Sequence, residues 1–508
     1  MIKNRVRCAS IVLGVLGVGC IVAGVLLIVI GDSVVDKIIE KECQLREGTL
    51  LYKNWLSPPI TIYMSVYVFD LKNPVEFLNG AKPLLIEYGP FVYKEQRTKT
   101  NLRTYENETL SYQEPRQYIF DRSQSTYDET FKFTTINVIY MTLVNLLQMD
   151  RIPNVYRSIV ADVVATIEKP LMTRSVREYL WGYEDPLLHI FKKILPEIVL
   201  DDQIALFGSA VYLFAYDTYL IKNGVGRSSQ VGVIERFNYS TSLSIWSDPY
   251  ANMINGTDST VWHPNARKDE RFYAYIRDIC RSVYLTFNET RRNFAGIDLY
   301  HYTLPENIFS NSTDNQGFCM NATTANKTHA LRCLPSGLFT QTPCQHFSSV
   351  TIDFPLPIIA SNPHFLDADP IVSNGVDGMH PDSELHRSFG DVEPRTGIIM
   401  NGSRRLQFNM NVVNDSSISL LSNIRPVFYP MFWGSEHAAI DESTASVFRN
   451  FVVIPLLILT ILKYLLVGIG ICCFIAVCII LVVHRHRKQK TTVDSSSSAA
   501  NEASPLLN

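Results

Sequence analysis

Residues 11–30 read IVLGVLGVGCIVAGVLLIVI, and residues 464–483 read YLLVGIGICCFIAVCIILVV. Each stretch is twenty residues without a charge, long enough to cross a ~30 Å hydrocarbon core as a helix. Lys3, Arg5 and Arg7 precede the first, and Arg485, Arg487, Lys488 and Lys490 follow the second. Cationic flanks stay on the cytosolic side, so both termini are expected there and the intervening chain in a lumen or outside the cell. Nine N-x-[ST] sequons fit that topology: Asn107, Asn238, Asn255, Asn288, Asn311, Asn321, Asn326, Asn401 and Asn414 all fall between the two stretches.

The first stretch exceeds a signal-peptide core and leads into Gly31-Asp32-Ser33 rather than a small-x-small cleavage site. It reads as an uncleaved anchor. The second is followed by HRHRKQK and a Ser-rich tail, a stop-transfer pattern. Lys463 stands where its stem can reach the headgroups. The expected plan is a cytosolic tail (1–10), a first span (11–30), a lumenal domain (31–450), a membrane-proximal apolar segment (451–463), a second span (464–483) and a cytosolic tail (484–508).

The lumenal part is net acidic, which does not suggest a nucleic-acid binder. It contains no evident repeat and no Pro/Gly/Ser-rich linker, so one large domain is expected. Cys280, Cys319, Cys333 and Cys344 cluster within it. In an oxidising compartment four such cysteines imply two disulfides with three possible pairings. The nested arrangement, Cys280–Cys344 around Cys319–Cys333, is the expected one. Cys43 is expected to be a buried free thiol. Cys8 and Cys478 are placed where palmitoylation is chemically open, against the plainer use as small apolar residues.

Strand-like alternation marks Ile60–Phe69, Gly89–Tyr93, Val231–Ile234, Ile352–Ile359 and, most clearly, Arg405–Val413. A helical stretch over 134–189, broken at Pro153 and near Pro170, interrupts them. Val155, Ile159, Val163 and Ile167 recur there at i+4 steps. Strands, a helical insertion and strands again predict an α+β fold, with a β-barrel or irregular β-core carrying a helical cap.

No P-loop, G-x-S-x-G, H-E-x-x-H or G-x-G-x-x-G occurs. His380, Asp382, Glu384 and His386 stand close enough for a metal or acid–base site, but a turn satisfying its own backbone is the simpler reading. His364 reads as a packed histidine. Neither a catalytic residue nor a cofactor or metal site is assigned. A membrane-tethered enzyme remains the alternative of another class.

Several stretches resemble the class B scavenger receptor family. They are Glu87-Tyr-Gly-Pro-Phe-Val-Tyr93, Arg177-Glu-Tyr-Leu-Trp-Gly-Tyr183, Asn255-Gly-Thr-Asp258, Cys280-Arg-Ser-Val-Tyr284, Asn315-Gln-Gly-Phe-Cys319, Pro363-His-Phe365, Gly378 to Phe389 and Pro394-Arg-Thr-Gly397. The resemblance spans nearly the whole chain. It implies an antiparallel β-barrel-like core with an apolar tunnel toward the bilayer, and lipid ligands: sterol, phospholipid or fatty acid. It also implies a ligand-binding cap, with Arg151, Asn154, Val155, Arg157, Ile159 and Val163 as contact candidates. Self-association is left open.

The tail ends Glu502-Ala-Ser-Pro-Leu506-Leu507, an acidic dileucine pattern that clathrin adaptors read as an endolysosomal address. Together with the cysteines and Ile424-Arg-Pro-Val-Phe-Tyr-Pro430, it favours the family's lysosomal integral membrane protein type-two branch. That branch implies transport of a lysosomal glucosidase by the cap. A plasma-membrane receptor for lipoproteins and fatty acids is the alternative. No histidine precedes His189. A histidine switch is therefore not expected in the cap helix, and acid release there would fall to Asp150, Asp162 or Glu168.

Overall fold

The computed structural model describes residues 2–148, 154–166, 169–194, 196–197, 199–207, 215–293, 295–323, 329–344, 356–416 and 418–501. The chain forms two compact units. One comprises 1–39 with 442–508, and the other comprises 40–441.

The first unit is a pair of helices. Arg7–Glu42 and Glu442–Lys490 are both long and apolar enough to cross a membrane. Small residues bring their backbones together. A Cβ at Gly470 would lie 2.4 Å from Ile21 Cγ1 and 2.8 Å from the Gly17 carbonyl, and one at Gly24 would lie 2.7 Å from Val467 Cγ2. In lipid, where apolar burial between helices yields little, such close packing is a main source of association. Lys463 is buried, and its Nζ lies 2.5 Å from Asp32 Oδ1. An ion pair therefore ties the two helices together, where a headgroup contact was expected. Phe451–Leu462 continues the helix through a π-helical turn at Arg449–Val453, which brings Pro455 into a helix that its missing N–H would otherwise weaken.

The second unit is built on an eleven-stranded antiparallel sheet. Its main path runs Arg271–Ile276, Arg281–Arg292, Asp298–Thr303, Phe389–Val392, Ile399–Val412, Val427–Ala439, Ile62–Leu71, Leu85–Arg97, Arg116–Phe120. Among the described residues the path stays open, which corrects the expected barrel-like closure. Thr257 bridges to Ala274 on one outer strand, and the other, Arg116–Phe120, is only five residues long. Covered or short edges need no closure. A four-stranded sheet, Ile234–Phe237, Thr218–Lys222, Thr109–Gln113 and Thr100–Thr104, accompanies it.

The insertion contains helices Val138–Gln148, Asn154–Thr166, Val176–Trp181 and Pro186–Ile194. It differs from the expected stretch at its start and again near its middle. Lys132–Ile136 pairs with Leu171–Ser175 as a two-stranded ribbon, because Phe133, Thr135 and Ile136 are stiff, strand-forming side chains. Ser175 and Glu178 form a reciprocal capping box that starts Val176–Trp181. Tyr140, Val144, Val164, Tyr179 and Leu187 share one apolar core with Phe69, Tyr429 and Phe432 of the sheet.

Charges are buried alongside that core. Glu436 lies 2.5 Å from Arg97 and 2.6 Å from Arg404, with Arg116 at 3.7 Å. Glu95 pairs with Arg97 at 2.8 Å, and Arg404 with Asp278 at 2.8 Å. Lys99 pairs with Glu114 and sits over the Tyr112 and Trp55 rings. The network ties neighbouring strands through side chains as well as backbone.

Candidate functional site

Three of the motifs converge on one strand pair. Glu87 Oε2 accepts hydrogen bonds from His364 Nε2 at 2.7 Å and from Trp433 Nε1 at 2.6 Å. His364 Nδ1 accepts the His380 backbone N–H at 3.1 Å. That places the ring hydrogen on Nε2, the tautomer that donates to Glu87. His386 stacks on His364 with centroids 4.4 Å apart and packs against Trp433, which in turn stacks on Tyr67 at 4.0 Å.

The loop that delivers His364 is strained. His364, Phe365 and Asp367 have φ of +54°, +57° and +62°, a region costly for residues with a side chain. Gln407 holds the turn by accepting the His364 N–H at 2.7 Å, and Arg387 grips Asp367 with two bonds of 2.8 and 2.9 Å.

Burial pushes the Glu87 carboxyl up, but the bonds from His364 and Trp433 outweigh it and hold it below its ordinary range. Burial, reinforced by the neighbouring His364, lowers His386 to about 4. A histidine whose folded pKa is depressed stabilises the fold fully above its unfolded value near pH 6.5, and that contribution falls away as the pH drops toward about 4. Between pH 7 and 5 the loss is about 1–2 kcal/mol. His386→Gln is expected to flatten the pH dependence of the urea midpoint over that interval. An unchanged slope would show that the penalty lies elsewhere.

The acidic–histidine candidate resolves into a capped turn. Asp382 Oδ1 accepts the N–H groups of Glu384 and Leu385, and His386 Nδ1 accepts the Asp382 N–H. The side chains bind their own backbone. The Glu87–His364–Trp433 centre has two donors on one carboxylate and, among the described residues, no nucleophile hydrogen-bonded to a base there. It is built to lock three segments together.

Cys280 is bonded to Cys344, and Cys319 to Cys333. Cys43 is buried, with its thiol donating to the Thr396 carbonyl, and burial pushes its pKa up to about 12. Such a thiol is unreactive.

Of the cap candidates, Val163 is 8% exposed and packs in the core. Asn154, Val155, Arg157 and Ile159 lie on helix Asn154–Thr166, with side chains outside the described set. Arg151, Asp150, Glu168, Asn326, Glu502, Leu506 and Leu507 lie outside the described residues.

Among the sequons, Asn107, Asn238, Asn288, Asn311 and Asn414 are exposed, Asn255 and Asn401 are half-buried, and Asn321 lies on strand Met320–Thr323. Asn414 Nδ2 donates to the carbonyls of Ser422 and Ile424, and Asn401 Nδ2 donates to Asp391. A glycan replaces one amide hydrogen. Glycopeptide mass spectrometry is therefore expected to find lower occupancy at Asn414 than at Asn107, Asn288 or Asn311. Equal occupancy would mean that the Asn414 loop closes without this amide.

Two long apolar helices bracketing a large, disulfide-bonded mixed α/β unit define a membrane protein with a single folded domain between its candidate spans. The chain belongs to the CD36 family, the class B scavenger receptors, whose profile matches residues 15–481. It is 34% identical to lysosome membrane protein 2 of Rattus norvegicus, over 92% of this chain and 93% of that protein. It is 32% identical to lysosome membrane protein 2 of Homo sapiens over the same shares. Scavenger receptor class B member 1 of Rattus norvegicus is 30% identical, over 92% of this chain and 88% of its own length.

Proposed function

We propose that this chain is a receptor of the lysosomal membrane whose lumenal unit binds lipid ligands and passes them toward the bilayer. The observation that carries the reading is the whole-length similarity to lysosome membrane protein 2 and scavenger receptor class B member 1. The helix pair suits the role of anchor by length and composition, and the flanking Lys and Arg residues support a cytosolic location for both termini. A lipid in water is penalised by roughly 0.8 kcal/mol per CH₂, and an apolar tunnel through the lumenal unit would remove that penalty along the route. Transport of a lysosomal glucosidase by the helical insertion is a second role compatible with the same family branch.

The tail supplies the address. Glu502, Leu506 and Leu507 form the signal read by a clathrin adaptor. In cells, Leu506→Ala/Leu507→Ala is expected to move the protein from lysosomes to the cell surface. Surface residence of both forms would favour the plasma-membrane reading. Mass spectrometry of lipids extracted from the purified full chain tests ligand binding. Sterol, phospholipid or fatty acid enriched over a control membrane protein supports it, and no enrichment counts against it.

A further inference from the structure

Both backbone N–H groups of His380-Pro381-Asp382 are held by imidazoles. The His380 N–H donates to His364 Nδ1 at 3.1 Å, and the Asp382 N–H donates to His386 Nδ1 at 2.9 Å. Pro381 between them has no N–H to offer. The two rings are stacked, with centroids 4.4 Å apart, and are only 4% and 6% exposed. His364 holds the turn from outside, and His386 holds it from within.

An imidazole nitrogen that accepts carries no hydrogen, and a protonated imidazole donates from both nitrogens and accepts at neither. His364 Nε2 is already the donor to Glu87. A proton reaching either ring therefore goes to Nδ1, the nitrogen that holds the turn, and sets two N–H groups against each other. Two cations stacked this closely would also repel.

The turn lies between two fixed points. Before it, the Leu85 N–H donates to the Asp377 carbonyl at 3.0 Å, and a Cβ on Gly378 would lie 2.0 Å from the Leu85 carbonyl. After it, Arg387 and Asp367 are committed to one another. Arg405, on strand Ile399–Val412, bonds the Glu384 carbonyl at 2.8 Å, and the Glu384 carboxylate faces Arg291 at 3.6 Å. Tyr67, on strand Ile62–Leu71, is held neutral by burial.

These neighbours divide over a proton on His386. Burial opposes it most, followed by His364, and Arg405 opposes it too, while Glu87 and Asp382 favour it. The outcome is a ring lowered to about 4, against about 6.5 when free. The open turn is then favoured about twentyfold more at pH 5 than at pH 7.

We propose that the stacked pair His364–His386 is a proton-operated latch, and that acidification releases residues 379–386 while the strands beneath stay folded. Release takes His386 away from the edge of Trp433, against which it packs at 5.5 Å. The device does not depend on the receptor reading.

The test is hydrogen exchange of the full chain in detergent, resolved to single amides at pH 7 and pH 5 and corrected for the intrinsic pH dependence of exchange. Protection of the Asp382 amide is expected to fall about twentyfold, with His380 falling too and the amides of strand Ile62–Leu71 unchanged. Level protection of Asp382 at the two pH values overturns the proposal. An equal fall in the strand also overturns it, because the whole unit would then be opening. In His386→Asn the amide oxygen can accept the Asp382 N–H and does not titrate, so protection of that amide should stay level. A fall in this variant equal to that of the wild type overturns the latch. If the variant does not fold, the wild-type comparison of turn with strand decides alone.

Discussion

Replacing Glu436 by Ala is expected to destabilise the 40–441 unit by about 3–5 kcal/mol, because it leaves buried cations without their shared anion. Glu436 is the junction of the network. It bonds Arg97 and Arg404 at 2.5 and 2.6 Å from strand Val427–Ala439, at the register position opposite Arg404. Burial pushes its carboxyl up, but Arg404, Arg97 and Arg116 outweigh that and hold it well below the ordinary carboxylate range. A depressed carboxylate pKa gives stability that is present above its unfolded value, near pH 4.3, and lost as the pH falls further. The network should therefore survive at about pH 5, where His386 is already a liability. Chemical denaturation of purified Glu436→Ala measures the loss. A change below 1 kcal/mol would show that water reaches the arginines and the pair behaves as a surface one.

The second large effect is expected from the outer disulfide. Cys280–Cys344 closes a separation of 64 residues, and removing a native bridge of this kind costs about 2–5 kcal/mol. The bridge anchors a distinct core. The Trp246 indole donates to the Cys280 carbonyl at 2.8 Å, and Trp246 packs on Phe318 and Phe339. Cys280→Ser/Cys344→Ser should lower the fraction of chain that passes quality control and expose the segment to limited proteolysis. The inner pair, Cys319–Cys333, closes only 14 residues, so its loss should be the milder by the chain-entropy argument. Equal protease resistance of the wild type and the outer-pair variant would contradict this ranking.

Legibility in the sequence followed periodicity. The two apolar helices announce themselves by length, and all but the last residue of Arg405–Val413 lies in strand Ile399–Val412, where alternation is clean. Strand Val427–Ala439 was hidden. Pro430 argues against a central strand, yet the register shifts between Phe408 and Asn409, so that Phe408 faces Phe432 and Asn409 faces Pro430. Met431 is left as the extra residue of a bulge, and the proline sits at that irregularity.

The ionic network was hidden for a related reason. Glu95, Arg97 and Glu436 are polar residues on strands, a pattern that reads as a solvent face. Only the pairing of strands far apart in sequence reveals them as buried partners. The Glu87–His364–Trp433 centre needs the same long-range information. Its residues lie in or beside motifs visible in the chain, but nothing in their spacing says that they touch.

The most direct test of the account is lipid transfer by the full chain reconstituted in vesicles. Fluorescent sterol or fatty acid is presented on the side of the lumenal unit, and its arrival in the bilayer is timed against protein-free vesicles. The account predicts faster arrival that saturates with ligand concentration. Arrival at the protein-free rate, from protein whose fold is verified by its unfolding transition, would contradict it.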